Sequence, residues 1–347
     1  MKKSLLTTLV ASCVTLGAYA QDMHFTQYFA SPLTLNPAQT GLIQNDWRAS
    51  ANIRQQWASV SDNPYNSGAL AFDMPILKGK LPEGDAMGIG VFGLYDKAGA
   101  GGFQNTTLGI SLAYHKAFGI DKQHTLSFGV QGSLVQKSVD FDKLIFSDQF
   151  DPTSPNGYLK GASQEKFANA DVSYPDFNAG IMYSGKVAEK GTLYAGFAYY
   201  HLTRPEERFI STGDALKINS RFSYHLGGSF EMNPNTILYV SGMLQNQGPA
   251  TEALIGGAVG WIMNPEHDEY TQNTVFYLGA WYRFSDAISP YIGFEFSKMK
   301  IGISYDVTLS SASNMTKGKG AVELSLIYNG VFKSNPTRTY NFACPKF

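Results

Sequence analysis

Cysteine is nearly missing from this 347-residue chain, which has Cys13 and Cys344 and no other. Lys2 and Lys3, an apolar run from Leu5 to Gly17 and the small-residue site Ala18-Tyr19-Ala20 read as a secretory signal over 1–20, cleaved before Gln21. A looser reading takes Val10-Ala11-Ser12-Cys13 as a lipid-attachment box, but the apolar run continues past Cys13, where a lipoprotein has a polar tether. Cleavage after Ala20 leaves Cys344 alone and excludes an intramolecular disulfide.

Charge is also sparse. Lys and Arg number 27 against 28 Asp and Glu, together 16% of residues, which leaves no basic footprint for nucleic acid and no acidic tail. Beyond the leader, no apolar run approaches the roughly 20 residues of a membrane helix. Signatures of catalysis are lacking too: the six histidines form no H-E-x-x-H, no G-x-S-x-G occurs, and no nucleophile stands beside an evident base. The chain reads as a non-enzyme with no catalytic residue, cofactor or metal to assign. Gly88-Ile89-Gly90-Val91-Phe92-Gly93 has the letters of a dinucleotide fingerprint, but it sits inside an alternating strand rather than at a strand-to-helix turn. Its glycines fit a barrel that bends or keeps its lumen open. Asp140, Asp142, Asp148 and Asp151 match no EF-hand spacing, and a solvated loop with Asx turns explains them as well as Ca²⁺ does.

What is abundant is glycine, 35 residues, and aromatic side chains, 14%. Segments of about ten residues alternate an apolar face with a small or polar one, the pattern of a transmembrane β-barrel. In Thr107 to Lys116, Leu108, Ile110, Leu112 and Tyr114 point one way and Thr107, Gly109, Ser111, Ala113 and His115 the other. Such segments fall at 47–56, 65–74, 86–96, 103–117, 124–139, 177–187, 191–200, 218–231, 237–246, 252–262, 274–284, 287–296, 299–308 and 321–329. The expected fold is therefore all-β: an antiparallel outer-membrane barrel of about 14 strands over 46–329, with both ends in the periplasm. The long connections 140–176, 201–217 and 309–320 fall outside, whereas 75–85, 263–273 and 285–286 depart from that asymmetry. Trp47, Trp57, Tyr95, Tyr199, Tyr200 and Trp281 suit interfacial girdles. Lumen positions read as Gly, Ser, Thr, Gln and Asn, without the ring of like charges expected of a transporter.

Two regions are not barrel-like. Residues 21–45, Gln21-Asp-Met-His-Phe-Thr-Gln-Tyr-Phe-Ala-Ser-Pro-Leu-Thr-Leu-Asn-Pro-Ala-Gln-Thr-Gly41 and a short sequel, are aromatic and proline-punctuated; 330–347 form a tail ending Ala343-Cys344-Pro345-Lys346-Phe347. With Arg54-Gln-Gln-Trp57, Pro175-Asp176-Phe177-Asn178-Ala179-Gly180 and Tyr200-His201-Leu202-Thr203-Arg204-Pro205, they resemble the PorP/SprF family, outer-membrane proteins of the type IX secretion and gliding systems of the Bacteroidetes. Met23 stands where that family often has Pro, and Lys346 where it has Arg. The resemblance covers nearly the whole mature chain. It implies a barrel in outer-membrane lipid that supports export and surface attachment of a specific secreted, adhesin-like protein, with contacts to peptidoglycan-linked periplasmic components. The competing class is a diffusion channel or hydrophobic-substrate transporter.

Three sets of candidate residues follow. A barrel of 14 strands must hold a wet or plugged lumen, and 21–45 could pack into or across its periplasmic mouth through Phe25, Tyr28, Phe29, Leu35, Asn36 and Pro37, or bind a partner there. The long outer loop could grip cargo through Phe141, Leu144, Phe146, Phe150 and Tyr158. The tail, with Arg338, Tyr340 and Cys344, could meet a periplasmic partner or be a plain terminus.

Overall fold

The computed structural model describes residues 22–77, 80–159, 163, 170–188, 190–209, 216–263 and 274–332. The leader with its cleavage site, Gln21, and the tail residues Arg338, Tyr340 and Cys344 lie outside the described residues.

Alternation produces the strands. They are β1 (Trp47–Gln56), β2 (Tyr65–Ile76), β3 (Ala86–Ala98), β4 (Phe103–Phe118), β5 (His124–Ser138), β6 (Asp171–Ala188), β7 (Gly191–Tyr200), β8 (Arg221–Asn233), β9 (Thr236–Gln247), β10 (Ala250–Ile262), β11 (Val275–Arg283), β12 (Ala287–Phe296), β13 (Met299–Thr308) and β14 (Lys319–Gly330). Each pairs antiparallel with its neighbours in sequence, and β1 pairs with β14 from Trp47–Gly330 to Gln56–Ala321, so the 14-stranded sheet closes on itself. Closure leaves no unpaired edge, the condition for a sheet in lipid. The outermost ladder is a two-residue pair, Glu206–Glu207 with Leu216–Lys217, in the connection after β7.

Burial is inverted relative to a soluble sheet. On β4, Leu108 and Ile110 are 65% and 61% exposed while Ser111 and His115 are fully buried. The same holds around the wall, with Val130, Leu226, Ile292 and Leu324 outward and Ser127, Ser223, Ser289 and Glu323 inward. An apolar exterior over a polar interior is stable where the surrounding solvent is hydrocarbon. No helix among the described residues is long and apolar enough to span a membrane.

Both ends of the wall, Trp47 and Gly330, lie at one end of the barrel. The longest connections, 139–170 and 201–220, lie at the other, which by the usual asymmetry of bacterial barrels is the outer end. The moderately long connections 77–85 and 263–274 lie at the inner end with the tight turns.

Several details differ from the sequence pattern. Strand β6 starts at Asp171 rather than 177, because Pro175 does not interrupt it: Tyr174, Asp176 and Asn178 still alternate inward. Tyr200 and Trp281 are not girdle residues; both are buried and face the lumen. The lumen also carries more charge than its small residues suggest, namely Arg48, Arg54, Asp73, Asp176, Arg283, Asp306 and Glu323, with signs mixed.

Candidate functional site

Residues 22–46 lie inside the barrel. Proline removes backbone donors and fixes φ, so this stretch cannot add a strand and folds into single turns. Tyr28–Ala30 and Pro37–Gln39 are 3-10 turns and Pro32–Leu35 is one helical turn, with Pro32 and Pro37 at first positions. Asn36, extended between two turns, accepts the Ala38 amide on its side-chain oxygen at 2.8 Å. Local chemistry thus makes a compact rod, and the wall supplies the rest of its bonds.

At the outer end, the Asp22 amide donates to Gln247 Oε1 at 2.8 Å. The Asp22 carboxylate takes His201 Nε2 at 2.8 Å and pairs with Arg221 at 3.4 Å. His201 Nδ1 reaches Asp176 at 3.0 Å, and its amide donates to Asn178 Oδ1 at 3.0 Å. His201 holds φ at +57°, a conformation rare for a residue of its size and one that persists only where its surroundings enforce it. Flanked by two carboxylates, the His201 imidazole is raised to about 9, whereas His201 and Arg221 hold the Asp22 carboxyl far below the usual carboxylate range. Burial opposes both ionised forms and is outweighed.

Deeper, the amides of Thr26 and Gln27 donate to the two oxygens of Glu323 at 2.7 and 2.9 Å. Glu323 pairs with Arg54 at 2.5 Å, Arg54 with Asp306 at 2.8 Å, and Asp306 with Arg283 at 3.2 Å. Arg283 also meets Glu252 at 3.0 Å and donates to Thr26 Oγ1. Strands β1, β10, β11, β13 and β14 are thereby tied to one dipeptide of the segment. Each charge is buried yet paired, the condition under which such a network is tolerated.

At mid-depth Tyr28 donates to Ser241 Oγ at 2.8 Å and packs with Leu35 against Tyr239, Tyr277, Trp281 and Tyr291. Phe29 lies 5.0 Å from the Trp281 ring and 5.7 Å, edge-on, from Tyr291. On the opposite wall Asn36 donates to the Ile181 and Phe197 carbonyls at 3.1 and 3.3 Å. Toward the inner end His115 bridges Ser127 and the Thr40 carbonyl, and the Gly41 amide donates to Asp73, itself paired with Arg48 at 2.7 Å.

Small wall residues make this approach possible. A Cβ on Gly129 would lie 2.2 Å from the Pro37 carbonyl carbon, and one on Gly180 2.0 Å from Asn36 Oδ1. Gly88, in the dinucleotide-like run, meets the Thr40 carbonyl oxygen at 2.0 Å in the same sense. Its lack of a side chain admits the segment rather than a cofactor.

Of the first candidate set, Phe25, Tyr28, Leu35, Asn36 and Pro37 are buried and Phe29 is half-buried, all within the lumen. They spread along the barrel rather than gathering at its inner mouth. The loop set stands apart from them. Phe141 and Leu144 lie near the base of the long connection, where Leu144 covers Gly101; Phe150 and Tyr158 face each other in an isolated bridge, with Phe150 71% exposed. The acidic residues of that loop are engaged separately, Asp140 with Lys143, Asp148 with Ser163 and Asp151 with Thr153. Among the described residues no group of three or more His, Cys, Asp or Glu could hold a metal ion.

Residues 17–328 match the family model described as type IX secretion system membrane protein PorP/SprF. The chain belongs to this family. Every stretch that carried the resemblance, apart from the undescribed tail, holds the lumen segment: Arg54 through Glu323, Asp176 and Asn178 through His201, Gly180 through Asn36, and Tyr200 by donating to the Thr34 carbonyl at 2.8 Å.

No curated protein matches the chain. Among solved structures it is similar to the Ralstonia pickettii toluene transporter TbuX at TM-score 0.49 and 12% identity, over 87% of this chain and 94% of that one. A Pseudomonas aeruginosa FadL homologue gives 0.48 and 12%, over 85% and 92%, and a deltaS2 mutant of the TodX monoaromatic hydrocarbon channel 0.50 and 11%, over 87% and 94%. At such identities the likeness concerns the barrel alone.

Sequence reasoning missed the lumen ion network. The available signal was a charge on the small-residue face of a strand: Arg54 two residues from Asn52, Asp306 between Ser304 and Thr308, Glu323 between Ala321 and Ser325.

Proposed function

We propose that this PorP/SprF barrel is a non-enzymatic outer-membrane partner in type IX secretion that supports export and surface attachment of one specific secreted protein, with adhesin-like cargo as the expectation. The lumen segment acts as a resident plug, so cargo is held by the outer loops rather than passed through an open pore. The observation that carries the plug is the buried seating of 22–46 against both halves of the wall. A polar network spanning five strands suits a segment that stays put, since withdrawing it leaves Arg54, Arg283 and Glu323 without their shared partner.

In the mature protein, cleaved after Ala20, the lumen segment would begin at the outer end and join the wall at the inner one. The long loop, with Phe141, Leu144, Phe146, Phe150 and Tyr158, supplies apolar anchors for cargo, and the tail with Arg338, Tyr340 and Cys344 is the proposed contact to peptidoglycan-linked components. Deleting 22–40 and recording single-channel conductance tests the plug: current should rise, and an unchanged current on a folded barrel would refute it. A knockout followed by surface proteomics tests the wider reading. Loss of one or two surface proteins is expected; general nutrient or permeability defects would point to a diffusion channel instead.

A further inference from the structure

Between the lumen segment and the wall from β3 to β9 lies a cavity of about 80 Å³ toward the outer rim. Its apolar lining is Phe25, Leu33, Leu35, Phe92 and Val135, set among polar groups such as Thr107 and Gln131, with Val135 on the rim side of Asp176. Its mouth carries Asp22, Asp176, His201, Arg221 and Lys137; the first four pair with one another and Lys137 with Glu207, so an anion gains nothing there. One buried atom at this mouth is unanswered. Asp176 is 3% exposed; its Oδ2 takes His201, but Oδ1 has no hydrogen-bond partner.

A buried carboxylate oxygen without a donor costs free energy that a ligand N–H can recover. Size narrows the ligand further. An apolar cavity of about 150 Å³ accommodates benzene, and this one has roughly half that room, enough for a group of about two or three carbons. We propose that the cavity is an outward-opening binding site for a short aliphatic group of about two or three carbons bearing an N–H donor, the alkyl end against the apolar lining and the donor on Asp176 Oδ1. Two sources share this chemistry, a free alkylamine and the leading aliphatic residue of an extracellular peptide. The site rests on the placement of the lumen segment, which forms one of its walls, and not on the choice of cargo.

Titration of the refolded full-length barrel in detergent, followed by saturation-transfer NMR, tests it with propylammonium, the donor-free methyl propyl ether, and an alanyl-glycyl-glycine amide. The ammonium should bind, with the ether about tenfold weaker or worse. Val135→Phe, which fills the cavity from the β5 wall, should abolish binding, and Asp176→Asn, which turns an amide toward the ligand donor, should weaken it about tenfold. Heat-modified migration on gels verifies that each variant is a folded barrel. Binding by the peptide as well would point to an extracellular chain as the source; binding by the amine alone would point to a small metabolite. If neither probe binds the folded wild type, or Val135→Phe leaves affinity unchanged, Asp176 Oδ1 is merely hydrated and the proposal falls.

Discussion

The lumen segment and the long outer loop are both irregular, aromatic and of similar length, yet the barrel treats them in opposite ways. Beyond the backbone bonds inside its own turns, the segment bonds to the wall throughout: amides to Glu323 and Asp73, carbonyls to His115, Gln131 and Tyr200, side chains to Ser241 and Ser111. Among its described residues the loop bonds chiefly to itself, as in the Asp151 amide to the Gly157 carbonyl and the Leu159 amide to the Gln149 carbonyl, and leaves Ile145, Phe150 and Leu159 exposed. A segment satisfied by its container behaves as core. One satisfied by itself, with apolar groups facing out, is free to meet something else.

The sharpest way to break this contrast is to fill the seat. Gly129→Leu or Gly180→Leu would drive a side chain into Pro37 or Asn36, and neither neighbour can yield because both are packed between wall strands. The segment should be displaced while the wall, whose outer face is untouched, still closes. Single-channel recording should show a large gain in conductance, and a wild-type current in a folded variant would mean that the segment does not seal the lumen.

Next in size is removal of one charge. Glu323→Ala leaves Arg54 buried with Asp306 alone and frees the Thr26 and Gln27 amides. Breaking a buried pair this way typically costs about 3–5 kcal/mol. The gel-shift melting temperature of the barrel should fall clearly, whereas removing the exposed Lys217 opposite Glu206 should leave it unchanged. Equal effects would show that the network contributes nothing special.

How much of this could be read from the sequence differs by region for physical reasons. Strand number and direction were legible because a lipid-facing sheet imposes a two-residue period, as in Leu108, Ile110 and Leu112. The wall partners of the segment were not, because they are set by closure: Glu323 reaches Thr26 across 297 positions of sequence. Trp281 and Tyr200 looked like interfacial rings because aromaticity alone does not say which face a strand turns inward. Register does, and Trp281 sits opposite Gly256 and Ser289 on the lumen side. The four loop aspartates, close in sequence, left a cation site and a solvated loop with Asx turns both open, and in space Asp140, Asp148 and Asp151 each have a separate partner.

A smaller effect should separate the two ends of the segment by pH. His201 is raised from its ordinary value of 6.5 to about 9 by Asp22 and Asp176, so its stabilising contribution is complete below about 6.5 and is lost as pH climbs through 9. Asp22 is lowered, so its share is present above its ordinary value near 3.8 and fails only in strong acid. Between those limits the outer latch is intact; above pH 9 it loosens while the segment's inner end, at Asp73 and Arg48, stays paired. Current fluctuations in a planar bilayer should therefore increase above pH 9, and His201→Gln should show them already at pH 7 with no further rise on alkalinisation. A wild-type trace that stays quiet to pH 10 would show that Asp22 is not needed to hold the outer end.

The smallest effect on the barrel itself should come from the loop. Trimming 144–158 removes bonds that run mostly within the loop, so melting temperature and conductance should barely move. Retention of the exported protein at the cell surface, read by whole-cell immunofluorescence, should drop. Intact retention would take cargo binding away from this loop. It would then turn attention to the connection after β7, which lies at the same end and starts at His201, one residue beyond the strand whose Tyr200 holds Thr34.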